Sequence, residues 1–159
     1  MKTWHSLPRR RGYALEHDAQ VALFKWARLA ESRFPALALM FAIPNGGWRH
    51  ITTAASLKDE GVKSGVPDIF LPSPARGFAG LFIEMKRADA KPKSEGAKGP
   101  LSDEQVQWLS ALTKQGYLAK VCYGSEEAIG LVAWYLGGPS IAYNDFLVSH
   151  LTDKGIEAP

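Results

Sequence analysis

Two short apolar runs in this chain carry charge where a buried strand should have none. Val66-Pro67-Asp68-Ile69-Phe70-Leu71 and Leu81-Phe82-Ile83-Glu84-Met85-Lys86 have the length and the branched or aromatic content of buried strands. Isolated Asp, Glu and Lys side chains are costly to desolvate, so they enter an interior only when paired or bound to a cation. A fold that buries both runs must therefore bring their charges to one another or to a metal ion.

Side chains alternate across a strand, which puts Phe82, Glu84 and Lys86 on one face and Leu81, Ile83 and Met85 on the other. Strand rise sets Glu84 and Lys86 about 6–7 Å apart. Asp68 lies 16 positions before Glu84, enough for one strand, a loop and a return. If the strands are neighbours, both carboxylates can meet one cation, with an amine beside them. Mg²⁺ takes oxygen ligands and is commonly held by one or two carboxylates together with water and substrate phosphate. An acid on one strand followed by Glu-x-Lys on the next is thus the donor set that metal-assisted phosphodiester cleavage needs. Each piece alone has an ordinary explanation: a turn residue after Pro67 for Asp68, an exposed strand face for Glu84 and Lys86. The combination is harder to dismiss.

The rest of the chain frames these runs. Residues 1–14, with Arg9-Arg10-Arg11, read as a basic arm. A helix is expected from about Leu15 to Phe34, ended by Pro35, with Leu23, Ala27, Ala30 and Phe34 at helical spacing. The same period carries that stripe back to Gln20 and Glu16, so two polar residues continue the inward face. Ala38–Ile43 reads as a strand, Pro44-Asn45-Gly46-Gly47 as a turn, and Thr52–Glu60 as a short helix stopped by Gly61. Pro72–Gly80 joins the charged runs as a hairpin-like loop, and Arg87–Pro100 forms a basic loop. Ser102 and Gln105 have capping-box spacing at the head of the next helix, which Gly116 closes. Leu118–Tyr123 reads as a strand, and Ser125 caps a helix to about Leu136. The order α-β-(α)-β-β-α-β-α predicts an α/β fold with helices packed on a central mixed sheet. The nuclease-like core would span 15–138, followed by an extension over 139–159.

Composition narrows the class. The length of 159 residues suits one domain with a sizeable core. The lone Cys122 excludes an internal disulfide framework and a cysteine-based zinc site, and its apolar setting predicts a buried, inert thiol. His5, His17, His50 and His150 share no metal-ligand spacing. No apolar stretch approaches the ~20 residues of a membrane span and no signal-type apolar region follows the N-terminus, so an intracellular protein is expected. The net charge of +3 is modest, but the cations bracket the charged strands: Arg49, Lys58 and Lys63 before, Arg87, Lys91, Lys93 and Lys98 after. That placement suits phosphate binding. Trp26, Trp108 and Trp134 sit near apolar stripes as core residues, whereas Trp48, between Gly47 and Arg49, is the aromatic expected to touch DNA.

Gly65-Val66-Pro67-Asp68 followed by Glu84-Met85-Lys86 resembles the PD-(D/E)XK, or restriction-endonuclease-like, superfamily. The downstream run Leu101-Ser102-Asp103-Glu104-Gln105-x-x-Trp108-Leu109 narrows the resemblance to its VRR-NUC family. Glu16 with Gln20, and Asn45-Gly46-Gly47, resemble the small stand-alone, often phage-encoded members; the similarity covers roughly 14–136. The resemblance implies a Mg²⁺- or Mn²⁺-dependent endonuclease. Asp68, Glu84 and the Met85 carbonyl would hold the metal, Glu16 would reach it directly or through water, and Lys86 would be the catalytic lysine. Gln105 would orient Lys86 or a phosphate, and Gln20 would contact DNA. Stand-alone members are similar to Holliday-junction resolvases, which implies a homodimer on branched DNA. A non-cleaving module that holds branched DNA for a partner in replication, repair or packaging is the alternative. A sequence-specific restriction-type enzyme is less consistent with a chain that has no evident reading element.

Overall fold

The run Leu81–Lys86 becomes the centre of the molecule because both its faces and both its edges are covered. In a computed structural model, which describes residues 11–44, 59–94 and 99–137, it forms strand β3 of a four-stranded sheet. The other strands are β1 (Phe41–Ala42), β2 (Ile69–Leu71) and β4 (Leu118–Tyr123), and the spatial order is β1-β2-β3-β4. β1, β2 and β3 pair antiparallel, while β3 and β4 pair parallel. A parallel pair needs a crossover, and helix α2 (Asp103–Lys114) supplies it. Helix α1 (Arg11–Ala30) precedes the sheet and α3 (Ser125–Tyr135) follows it.

The sheet register explains which helix goes where. Ile69 pairs with Ile83, Leu71 with Leu81, and Met85 with Cys122, so one face is continuously apolar. That face meets Leu23 and Ala27 of α1 and Ala128, Leu131, Val132 and Tyr135 of α3, all buried. Burial of each large aliphatic side chain stabilises the fold by roughly 1.5–3 kcal/mol against exposure. Tyr135 buries its ring and satisfies its hydroxyl by donating to the Ser73 carbonyl at 2.7 Å. Cys122 is buried, as its setting predicts, and burial raises its thiol pKa far above the ordinary value.

The opposite face is less uniform. It carries Glu84 and Lys86 next to an aromatic row in which the Phe70 and Phe82 rings stack at 4.1 Å. Phe41 and Tyr117 meet that stack edge-on. Helix α2 packs against β4, and its N-terminal turn lies against the loop before β2. Trp26 and Trp134 pack against the core as expected, but Trp108 is only half-buried and outside it, with its indole N–H donating to the Ser64 carbonyl at 3.0 Å. Gly65 lies so close to the helix that a Cβ there would sit 2.6 Å from the Glu104 Cβ.

Several boundaries differ from the sequence-based expectation. Helix α1 begins at Arg11, so residues 11–14 belong to it and not to the basic arm. Gly12 falls in the first turn, where no established ladder is interrupted. The helix ends at Ala30, four residues before Phe34, whose N–H closes a turn onto the Ala30 carbonyl at 2.9 Å. Pro35 then starts a 3₁₀ turn, Pro35–Leu39, and the strand expected over Ala38–Ile43 shrinks to Phe41–Ala42. The fixed φ of proline favours such a turn start over continued extension. Asp68 stands one residue before β2, and a 3₁₀ turn at Ala88–Ala90 interrupts the basic loop. Gly124, not Ser125, is the cap residue of α3. Most of the Thr52–Glu60 helix, the Asn45-Gly46-Gly47 turn, Trp48 and Arg49, and the extension over 139–159 lie outside the described residues.

Gly65 and Gly116 both have positive φ, +80° and +84°, but only Gly65 is crowded. Gly116→Ala should cost about 1–2 kcal/mol from backbone conformation alone. Gly65→Ala should cost more, on the order of 3 kcal/mol, because α2 must also move. Urea unfolding of the two variants checks this, and equal losses would contradict the close approach.

Candidate active site

Glu84 is 1% exposed and Lys86 8% exposed, making them the buried charged residues among those described. They satisfy each other: Lys86 Nζ lies 2.8 Å from Glu84 Oε1, two positions along the same strand. That same oxygen accepts a second hydrogen bond, from Gln105 Nε2 on α2. With Oε1 doubly engaged, Oε2 is left for another partner.

Gln105 reaches Glu84 from a fixed platform. Its own N–H donates to Ser102 Oγ at 3.3 Å, and its Oε1 accepts the Ser102 N–H at 2.9 Å. These bonds form the capping box that the spacing predicts. The local role and the site role therefore coexist in one side chain. The amide oxygen closes the helix end, and the amide nitrogen is aimed at Glu84. Gln105 and Lys86 both donate to Glu84, so Gln105 bears on Lys86 through that shared acceptor.

Asp68 is positioned by the edge of the sheet. Extending the β2–β3 register by two residues places Pro67 opposite Met85. The Asp68 side chain takes up the Met85 N–H there, with Oδ2 at 2.8 Å. The Asp68 carbonyl accepts the Ile43 N–H at 2.7 Å. In an extended strand the N–H and C=O of one residue project to the same side. The Met85 carbonyl thus faces the side on which Asp68 stands, as a third donor to one cation would have to.

The electrostatics show that Asp68 is close enough to perturb Glu84. Burial pushes the Glu84 carboxyl from its ordinary 4.5 up to about 7; the Asp68 charge adds to the rise, and Lys86 opposes it. Asp68 is also raised, by burial first, with the Met85 N–H and Lys86 acting against the shift. Glu16, half-buried on α1, adds a repulsive contribution to both. No group of three or more His, Cys, Asp or Glu side chains that could hold a metal is present among the described residues. Glu16 acts on the Asp68–Glu84 pair through its charge. Two carboxylates and a carbonyl remain a suitable set for Mg²⁺, which keeps several waters and does not require an all-protein cage. Raised acid pKa values fit such a set, because a divalent ion offsets the repulsion and desolvation that raise them.

The expected DNA contacts are distributed more widely. Gln20 lies half-buried on α1 near Glu16. Lys63 stands over the Trp108 ring at 5.9 Å. Arg87 pairs with Asp89 at 2.7 Å and Lys91 with Glu127 at 2.5 Å, while Lys93 is exposed. Glu127 was not anticipated; its second oxygen accepts the Tyr123 N–H at 2.9 Å, tying the start of α3 to the end of β4. The contact of Gly65 with α2 was also missed, although an invitation to close approach was visible in a glycine just before Val-Pro-Asp.

An acid before β2, a Glu-x-Lys on β3 and a glutamine on the crossover helix of a mixed sheet define a nuclease-type, restriction-endonuclease-like core. The chain belongs to the VRR-NUC domain family, whose model matches residues 8–126. A solved structure described as a VRR_NUC domain protein is similar, with a TM-score of 0.58 and 25% identity, covering 77% of this chain and 90% of that one. No curated protein matches this chain. Among the described residues no helix is long and apolar enough to cross a membrane.

The raised Glu84 pKa sets a pH dependence. The folded protein retains a proton that the unfolded chain releases, so this group's stabilisation is complete below about pH 4.5 and is lost as pH rises through about 7. Asp68 acts in the same direction. Without divalent ions, stability should fall across that window by on the order of 2–3 kcal/mol. Glu84→Gln should flatten the profile, as should Mg²⁺. Denaturant unfolding at stepped pH checks this, and a Glu84→Gln profile parallel to the parent's would contradict it.

Proposed function

We propose that this protein is a divalent-metal-dependent DNA endonuclease that selects branched DNA. The observation that carries the reading is a buried Glu84 held by Lys86 and Gln105, with Asp68 near enough to raise its pKa. An interior carboxylate–amine pair is weak as a source of stability, since hydrophobic residues of the same volume often serve as well. Its placement beside a second acid is better explained by chemistry.

Asp68, Glu84 and the Met85 carbonyl would hold Mg²⁺ or Mn²⁺. When bound, the ion supplies Lewis-acid stabilisation of the scissile phosphate and makes a water easier to deprotonate. The protein's own part is to prepare that place. Gln105 and Lys86 hold one Glu84 oxygen, fixing the carboxylate plane and leaving the other oxygen for the ion. Lys86 has further N–H donors, and on substrate entry these can bond the attacking water or a phosphate oxygen and offset negative charge in the transition state. Arg87, Lys91 and Lys93 follow on the same chain segment, where phosphate would compete with Asp89 and Glu127 for the first two.

One site cuts one strand, so symmetric cutting of a four-way junction takes two copies related by a two-fold axis. The family's resemblance to junction resolvases supports that assembly, and a homodimer on branched DNA is the proposed working form.

Cleavage of four-way junctions, flaps and plain duplex in Mg²⁺ or Mn²⁺ tests the proposal. The parent should cut branched DNA preferentially. Glu84→Ala and Lys86→Met should each lower the rate by roughly 10²–10³-fold while DNA is still bound, the scale of losing a charge-stabilising group. A Glu84→Ala variant that cuts as fast as the parent rules the assignment out.

A further inference from the structure

A concavity of about 360 Å³ is lined by Ile43, Pro44, Val62, Lys63, Val66 and Trp108 together with Gly61. Its walls are chain neighbours of the site. Ile43 donates its N–H to the Asp68 carbonyl, and Val66 precedes Asp68 by two residues. Trp108 follows Gln105 by three residues, almost one helical turn, on α2. The volume falls in the range of pockets that enclose small ligands.

Its chemistry is specific. Among the described residues the lining is mostly apolar, with one aromatic wall and one cation. The indole is held in place by its bond to the Ser64 carbonyl, and the Lys63 ammonium stands 5.9 Å from its ring centre. Val62 is 41% exposed, so the mouth opens to solvent. A flat, π-faced and uncharged group attached to a phosphate matches these features. Its ring would stack against the fixed indole, and its phosphate would meet Lys63.

We propose that this concavity receives one unpaired nucleobase of the strand that is cut. The inference rests on the DNA-nuclease reading and adds a reason for substrate choice. A base in a flap or gap is already unpaired, whereas a base in plain duplex must first leave its stack at a cost of a few kcal/mol. A pocket that takes only an extruded base would convert that cost into preference for branched DNA. Phosphate contacts alone would not discriminate in this way, because duplex offers them equally.

Two variants with separate readouts test it. Flap DNA carrying 2-aminopurine at the unpaired position beside the scissile phosphate is bound in Ca²⁺ to keep it uncut. Parent protein should quench the fluorescence by stacking, and Trp108→Leu should not. Trp108→Leu also gives up the Ser64 bond, so Val62→Trp provides an independent arm: it fills the mouth from an exposed position. Val62→Trp should reduce the ratio of flap to duplex cleavage rates by about tenfold, the scale of one base–aromatic stack. A parent that does not quench, or a Val62→Trp ratio equal to the parent's, overturns the pocket. A parent that quenches yet cuts no DNA in Mg²⁺ or Mn²⁺ overturns the nuclease reading and leaves the base site standing.

Discussion

The double hydrogen bond onto Glu84 Oε1 is the interaction on which the rest of the site depends. It joins three separate parts of the chain. Lys86 comes from the same strand, Gln105 from the crossover helix, and that helix is in turn set against Ser64 and Gly65 just before Asp68. A carboxylate in the interior without those donors would be neutral or displaced. With them it is held through one oxygen, and the other is left for a further partner. The parallel β3–β4 pairing matters for the same reason: it requires a crossover, and the crossover is what delivers Gln105.

The site is held in tension and not at rest. Burial raises both acids, the Asp68 charge adds to the rise at Glu84 and Glu16 adds to it at both, while Lys86 and the Met85 N–H restrain it. Such an arrangement destabilises the protein at neutral pH, and a divalent cation bound there would relieve it with release of a proton. Glu16 deepens the negative potential from α1.

Much of the central sheet was legible from residue pattern. The runs at Leu81–Lys86 and Leu118–Tyr123 match their strands end to end: the first is buried on both faces, and the second buries Leu118 and Cys122 on one. The capping box was legible because it is a local, three-residue contact. The ends of α1 were not. Nothing between Arg11 and Leu15 opposes a helix strongly, and Pro35 marks the start of the next turn instead of the helix end. Within the site, the pairing of Glu84 with Lys86 follows from strand alternation, but the choice of Glu84 over Lys86 as the partner of Gln105 depends on how α2 lies across the sheet. The Lys91–Glu127 pair, 36 residues apart, likewise has no local signal.

The central claim is that Asp68 and Glu84 share one divalent ion with the Met85 carbonyl. Anomalous diffraction from crystals soaked in Mn²⁺ tests it directly. The account predicts a single strong peak per chain within about 2.5 Å of an oxygen of each of these three residues. A well-ordered site with no peak there, or a peak reached by only one of the two carboxylates, would contradict it.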